Sequence, residues 1–231
     1  QQFLDYVKNG GAPICSPQIG AGAGFDTKLA GKDDVFQTTL EDTIAAVERF
    51  DIVPLINTGL CDLSACNPTL AWKHISSEID SEGRTHTITE LKTPKGNLTT
   101  HLVQDKMGGF RLKAPVEGTD DLDALDYYID AALDSDFSPA TRFTEHIAGM
   151  VGNRGAVSIQ WAVQPYELLC FPNTVDTTLI AHDCPERMKS MMDKILLLDE
   201  KLFEAVAKGG ADFIFLGGPG AEMISPRYYD E

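Results

Sequence analysis

Long apolar runs are missing from this chain of 231 residues. Its longest, such as Ile195–Leu198 and Phe213–Leu216, cover four residues, whereas a helix crossing a bilayer needs about twenty. The first thirty residues lack a basic start, an apolar stretch and a small-residue cleavage site, so no export signal is expected. Cysteines are few and odd in number: Cys15, Cys61, Cys66, Cys170 and Cys184, at irregular spacing. That pattern argues against a disulfide framework and for reduced thiols in a cytoplasm. Positive charge is also short. The 19 basic residues face 35 acidic ones, a net charge of −16. Such a surface repels phosphate backbones and anionic lipid, so neither nucleic acid nor a membrane is expected as a partner.

What is present is a chain able to bury a large core. Much of the acidic excess sits in DDLDALDYYIDAALDSD, with seven aspartates between Asp120 and Asp136. Leu122, Leu125, Ile129, Ala132 and Leu133 recur there at helical spacing, which makes the acids the wet face of an amphipathic helix. Residues 1–9 predict a short helix ended by Gly10 and Gly11, and APICSP a short buried strand. Val35, Leu40, Ile44 and Val47 mark a helix over 34–49 with Asp33 or Asp34 as its cap. DIVPLINTG follows as a second apolar strand. Strand, loop, helix, strand is the grammar of a parallel α/β fold.

Residues 73–104 break that grammar. KHISSEID, RTHTITEL and GNLTTHLVQ alternate, with turns at Ser81–Gly83 and Thr93–Gly96, and predict an inserted antiparallel meander. Its histidines His74, His86 and His101 are expected to be exposed, and His146 to be a structural helix residue. Helices follow at about 119–134 and 139–150, then the strand GAVSIQWAV. A long helix opens at Asp183–Cys184–Pro185, with Asp183 as its expected cap. Met188, Met191, Met192, Ile195, Leu198, Leu202, Phe203 and Val206 form its stripe. Gly209 and Gly210 close it, and ADFIFLGG is the next strand.

Several of these segments together resemble the uroporphyrinogen decarboxylase superfamily. GGADFIFLGGPGAEMISPRYY is similar to its strand, glycine-rich loop and "SP" element. HDCPERMKSMMDKI is similar to its Pro-Glu helix start, WAVQPYELLCF to a strand followed by proline and an aromatic, and KTPKGNL with DDLDALDYY to its hairpin and acidic helix. The resemblance runs with gaps over most of the chain. It implies a single domain, 1–231, folded as a TIM-type (β/α)8 barrel with a cleft at the carboxyl ends of its strands. Four strands with helical crossovers do not make such a barrel. The expectation is therefore a partial chain, lacking about three or four C-terminal βα units.

The resemblance also implies chemistry. The decarboxylase branch binds many carboxylates with arginines after its first strand, yet PICSPQIGAGAGFDTK contains none. Its essential aspartate would fall near Asn57 or Thr58, its tyrosine on Phe171 and its loop serine on Pro219. The favoured expectation is therefore a cytoplasmic methyltransferase, moving a methyl group from a corrinoid carrier protein to a thiol or related acceptor. Zinc would be held by residues beyond this chain, because the family's His-x-Cys pair and later Cys lie downstream. His182–Asp183–Cys184 has that form but stands at a helix start, and Cys61 and Cys66 in CDLSAC read as small buried thiols. The alternatives are a decarboxylase of a smaller carboxylic substrate and a non-catalytic barrel that binds a tetrapyrrole or a protein. A homodimer is compatible with either. Strand-end position nominates Cys15, Ser16, Gln18, Asn57, Thr58, Gln160, Trp161, Gln164, Tyr166, Gly217 and Gly218 as ligand contacts. Glu222, the acid of the last loop, is the candidate general base, against a plain surface role.

Overall fold

The computed structural model describes residues 25–33, 37–49, 55–59, 61–106, 108–161 and 174–216. The helix expected over 1–9 and the strand expected in APICSP lie outside them. Two short sheets and a set of helices make up the described chain. Helices α1 (Phe25–Leu29) and α2 (Leu40–Arg49) precede strand β1 (Leu55–Gly59). A short helix α3 (Leu63–Cys66) leads to four strands: β2 (Lys73–Ile79), β3 (Thr85–Thr93), β4 (Gly96–Gln104) and β5 (Gly109–Lys113). Then come α4 (Leu122–Leu133), α5 (Ser138–Val151), β6 (Ala156–Trp161), α6 (Thr174–Asp183), α7 (Pro185–Lys208) and β7 (Phe213–Leu216).

The closed barrel implied by the resemblance is not what these residues build. β1, β6 and β7 form a parallel sheet in that order, and β2 to β5 form a separate antiparallel sheet in sequence order. Barrel closure needs about eight tilted strands, so that the first meets the last. Three parallel strands leave two edges apart, and the antiparallel strands pair only with one another. The fold of the described residues is therefore mixed α/β with two distinct sheets. No helix among them is long and apolar enough to cross a membrane.

The antiparallel sheet extends one strand beyond the span 73–104. β5 pairs with β4 through Leu102↔Arg111 and Val103↔Phe110. Its residues Gly109 to Arg111 and Leu112 are exposed, so no apolar alternation announced it. The two-residue turn Pro94–Lys95 joins β3 to β4, closed by Thr93↔Gly96 with Gly96 at φ 138°. Helix α2 starts later than its stripe suggests. Thr39, rather than Asp33 or Asp34, caps it: the Thr39 N–H donates to Asp42 Oδ2 at 2.7 Å, and the Asp42 N–H donates back to Thr39 Oγ1 at 3.3 Å. Those reciprocal bonds are a capping box with aspartate in the acidic position.

Helix α7 organises the core. With 24 residues it is roughly 36 Å long. Its first half packs Met188, Met191 and Ile195 against Leu122, Leu125 and Ile129 of α4 and against Leu91 and Leu98 of the antiparallel sheet. Leu198 and Leu202 meet Leu70 and Ala132. Val206, in its last turn, joins Ile44, Ile147 and Val151 over Ile56, Val157 and Ile159 of the parallel sheet. Cys184, not Asp183, is the residue capping α7, and Asp183 ends α6. At the far end Gly209 stays helical at φ −75°, and Gly210 takes the positive φ of 91°.

The aspartates of α4 face solvent as their spacing requires, with Asp123 and Asp130 exposed and Asp126 half-buried, and basic side chains of α7 reach them there. Arg187, Lys194 and Lys201 recur every seven residues on α7. Lys194 Nζ lies 2.7 Å from both Asp126 and Asp130. Arg187 pairs with Asp123, and Lys201 Nζ donates to the Leu133 carbonyl at 2.7 Å. A cationic stripe on one helix thus meets the acids of its neighbour, and the shared offset sets the two helices running parallel.

Candidate functional site

The parallel sheet has two unlike faces because side chains alternate along each strand. Register pairs Ile56 with Val157, Thr58 with Ile159 and Ile159 with Ile214. Ile56, Val157, Ile159 and Ile214 belong to the cluster beneath α2, α5 and α7. The opposite face carries Asn57↔Ser158, Gly59↔Gln160, Ser158↔Phe213 and Gln160↔Phe215. Beyond Leu55↔Ala156 at its start, that face presents Asn57, Ser158 and Gln160 on β1 and β6 and two phenylalanines on β7.

Asn57 and Gln160 are brought together there, 103 residues apart in sequence, with Asn57 Nδ2 donating to Gln160 Oε1 at 3.2 Å. Asn57 Oδ1 is buried and has no hydrogen-bond partner among the described residues. A buried amide oxygen left unpaired costs about 1–3 kcal/mol, so the position favours any group able to donate to it. Turning both amides over keeps their mutual bond and presents a donor instead of an acceptor. Gln160 is exposed, Ser158 is buried, and Phe215 is 48% exposed beside Gln160. These carboxyl strand ends are where parallel α/β sheets place ligands.

Thr58, nominated with Asn57, belongs to the helix-covered face, and its hydroxyl donates to the Gly59 carbonyl at 3.5 Å. Trp161 is paired in register with Leu216. Cys15, Ser16, Gln18, Gln164, Tyr166, Gly217, Gly218 and Glu222 lie outside the described residues. Of the expected convergence of Gln18, Asn57, Gln160 and Gly218, the structure therefore carries the Asn57–Gln160 pair. Strand-end position does not single out Ser158, Phe213 and Phe215, although the alternation in AVSIQW and FIFL puts them on the same face.

Two further clusters carry chemistry-bearing side chains. Cys61 lies two residues past β1, and its Sγ is 4.0 Å from that of Cys66, the last residue of α3. Burial, and then the second thiol, push the Cys61 thiol up to about 12, and burial pushes Cys66 up as well. In the antiparallel sheet, two of the three histidines expected to be exposed are instead half-buried and linked. His86 Nε2 lies 3.1 Å from Asp80 Oδ2, and His86 Nδ1 lies 3.0 Å from His101 Nε2. Asp80 also accepts from the Arg84 N–H and from Arg84 Nε. Those donors, the backbone one first, hold its carboxyl well below the usual range. His74 and His146 are exposed.

No group of three His, Cys, Asp or Glu among the described residues could hold a metal ion. His182 and Asp183 face each other at 3.2 Å on the exposed end of α6. Cys184 caps the next helix without a side-chain cap bond. Neither cluster, among the described residues, supplies the three or four ligands of a zinc site. No protein-family model matches the chain, and no curated protein or solved structure matches it either.

Proposed function

We propose that the carboxyl ends of β1 and β6 bind a small polar ligand through Asn57 and Gln160. The reaction we assign to the site is transfer of a methyl group from a corrinoid carrier protein to a thiol or related acceptor. The observation that carries the binding half is the Asn57–Gln160 amide pair, with the buried Asn57 Oδ1 lacking a hydrogen-bond partner among the described residues. An amide that lacks its partner discriminates in favour of a ligand offering N–H or O–H at that point. Phe215 beside it offers an apolar wall. The reaction class rests on the resemblance of HDCPERMKSMMDKI and GGADFIFLGGPGAEMISPRYY alone. Against the carboxylate-rich alternative stands a chain of net charge −16 whose residues 13–28 contain no arginine.

Incubation of the full chain with methylcobalamin and a simple alkyl thiol tests the reaction, followed by the visible spectrum of the corrinoid as the methyl group leaves. Gln160→Ala is expected to weaken acceptor binding about tenfold, the equivalent of ~1.4 kcal/mol. Because Gln160 is exposed, its thermal midpoint should stay near that of the parent. Demethylation no faster than in protein-free buffer removes the methyl-transfer reading. Unchanged affinity in both Gln160→Ala and Asn57→Ala removes the site.

A further inference from the structure

Two thiols held 4.0 Å apart are an unusual arrangement in a chain with five cysteines. The segment carrying them is fixed at both ends. Asp62 Oδ1 accepts from the Ser64 N–H at 2.8 Å and opens α3. Beyond Cys66, Asn67 accepts from the Thr69 N–H at 3.1 Å and donates through Nδ2 to the Ala131 carbonyl of α4 at 3.0 Å. Cys66 is walled in by Ala140 of α5 and Ala205 of α7. Cys61, at the open end, is half-buried. One thiol is thus accessible and the other waits behind it.

We propose that Cys61 and Cys66 are a redox modification site, which a low-molecular-weight disulfide converts into an intramolecular disulfide at the carboxyl end of β1. The Cys61 thiolate attacks one sulfur of the small disulfide, forming a mixed disulfide and releasing one small thiolate. The Cys66 thiolate then attacks Cys61 Sγ and displaces the second. Two protein thiols are oxidised, one small disulfide is reduced to two thiols, and the two protons given up by Cys61 and Cys66 are taken up by the two small thiolates. The sulfurs must close from 4.0 Å to about 2.05 Å. Rotation about the Cys61 side chain serves this, since Cys66 is the packed partner.

The surroundings set the rate. Asp62 and Asp136 are the charged groups among the described residues that act on this pair, and both disfavour a thiolate. With burial and the neighbouring Cys66 pushing the Cys61 thiol up to about 12, only a small fraction is thiolate at neutral or mildly alkaline pH. The exchange is therefore slow at neutral pH and quickens about tenfold per pH unit. This makes the pair a response to sustained oxidising conditions, distinct from a fast peroxide sensor. The inference is independent of the ligand proposed for Asn57 and Gln160.

The test incubates the native full chain with oxidised glutathione at pH 8 and pH 9, blocks remaining thiols, and maps peptides without reduction. The expected product is a peptide in which Cys61 and Cys66 are joined, with the loss of two hydrogens, forming about tenfold faster at the higher pH. In C66S, Cys61 should stop as the glutathione mixed disulfide. Should C66S fail to fold, the linkage map of the parent chain still decides. Recovery of both thiols from the native chain, under conditions where the urea-unfolded chain oxidises, overturns the proposal. So does a wild-type product in which Cys61 is joined to Cys15, Cys170 or Cys184, or rests as a stable glutathione adduct.

Discussion

Replacing Gly209 by alanine is the most direct probe of how α7 sits against α5. A β-carbon at Gly209 would lie 2.6 Å from the Thr141 carbonyl oxygen, 2.6 Å from Thr144 Cβ and 3.2 Å from the Glu145 nitrogen. Ordinary contact begins at 3.4 Å, so the two helices would have to separate by roughly 0.8 Å. None of the three obstacles can rotate away, because two are backbone atoms and the third is a β-carbon on the buried Thr144. Nearby, Thr141 Oγ1 donates to the Ala205 carbonyl at 3.0 Å, a bond that the same separation would stretch. Overpacking of this kind costs about 1–3 kcal/mol, and the rigid obstacles place Gly209→Ala in the upper half. The loss of unfolded-chain freedom returns about 0.4–1 kcal/mol, because φ −75° suits alanine. The net expectation is a destabilisation of about 2 kcal/mol. In urea, with a slope near 2–3 kcal/mol per molar, the midpoint should fall by roughly 0.7–1 M. Gly149→Ala is the control within α5. It is exposed with nothing within 4 Å, and should raise stability by about 0.5–1 kcal/mol. If Gly209→Ala leaves the midpoint unchanged or raises it as Gly149→Ala does, the close approach of α5 and α7 is wrong.

Leu198→Ala, at a position with 0% exposure between Leu70, Ala132 and Leu202, should cost about 3–4 kcal/mol in the same assay. Its neighbour Leu197, 53% exposed, should tolerate alanine to within about 0.5 kcal/mol. Asp42 is held at about 2 by the Lys32 ammonium at 2.5 Å and by the Thr39 N–H and hydroxyl. A folded value below the ordinary 3.8 contributes stability above that value, lost as pH falls toward 2. Asp42→Asn should therefore melt below the parent at pH 6 and alongside it at pH 2; a gap constant across that window would refute the assignment. Lys194 is raised by its bonds to Asp126 and Asp130, so its contribution is present at neutral pH and fades as pH climbs past the ordinary lysine range. Lys194→Met should cost roughly 0.5–1 kcal/mol near neutrality, measured by urea midpoints at pH 7 and again in high salt, where the difference shrinks.

Local pattern made some of this molecule legible and left the rest hidden for one recurring reason. Met188, Met191, Ile195, Leu198, Leu202 and Val206 are all buried on α7, as their three-four spacing requires. That spacing also nominated Met192 and Phe203, which sit at the margin of the stripe and are half-buried. Nothing in such a stripe says which elements it will meet. Strand, helix and loop alternate identically whether parallel strands close into a barrel or stop as an open sheet, since closure depends on pairing between distant strands. The aspartates of α4 illustrate the same limit from the side of charge. Their spacing shows a polar face, but only the helix register brings Asp126 and Asp130 onto Lys194. Asn57 and Gln160 could be named from strand-end position, whereas the bond between them follows from the register Gly59↔Gln160. His86 reads as an ordinary strand residue until the β2–β3 turn delivers Asp80 to it. The glycine pair ending α7 is the sharpest instance. Gly-Gly marks a helix stop in any sequence, and a positive φ at the first glycine is a natural expectation. Here the second glycine takes the left-handed turn, and the first is glycine because α5 leaves no room for a β-carbon. A neighbour in space, more than sixty residues away in sequence, determined that choice. Helix propensity therefore could not have shown it.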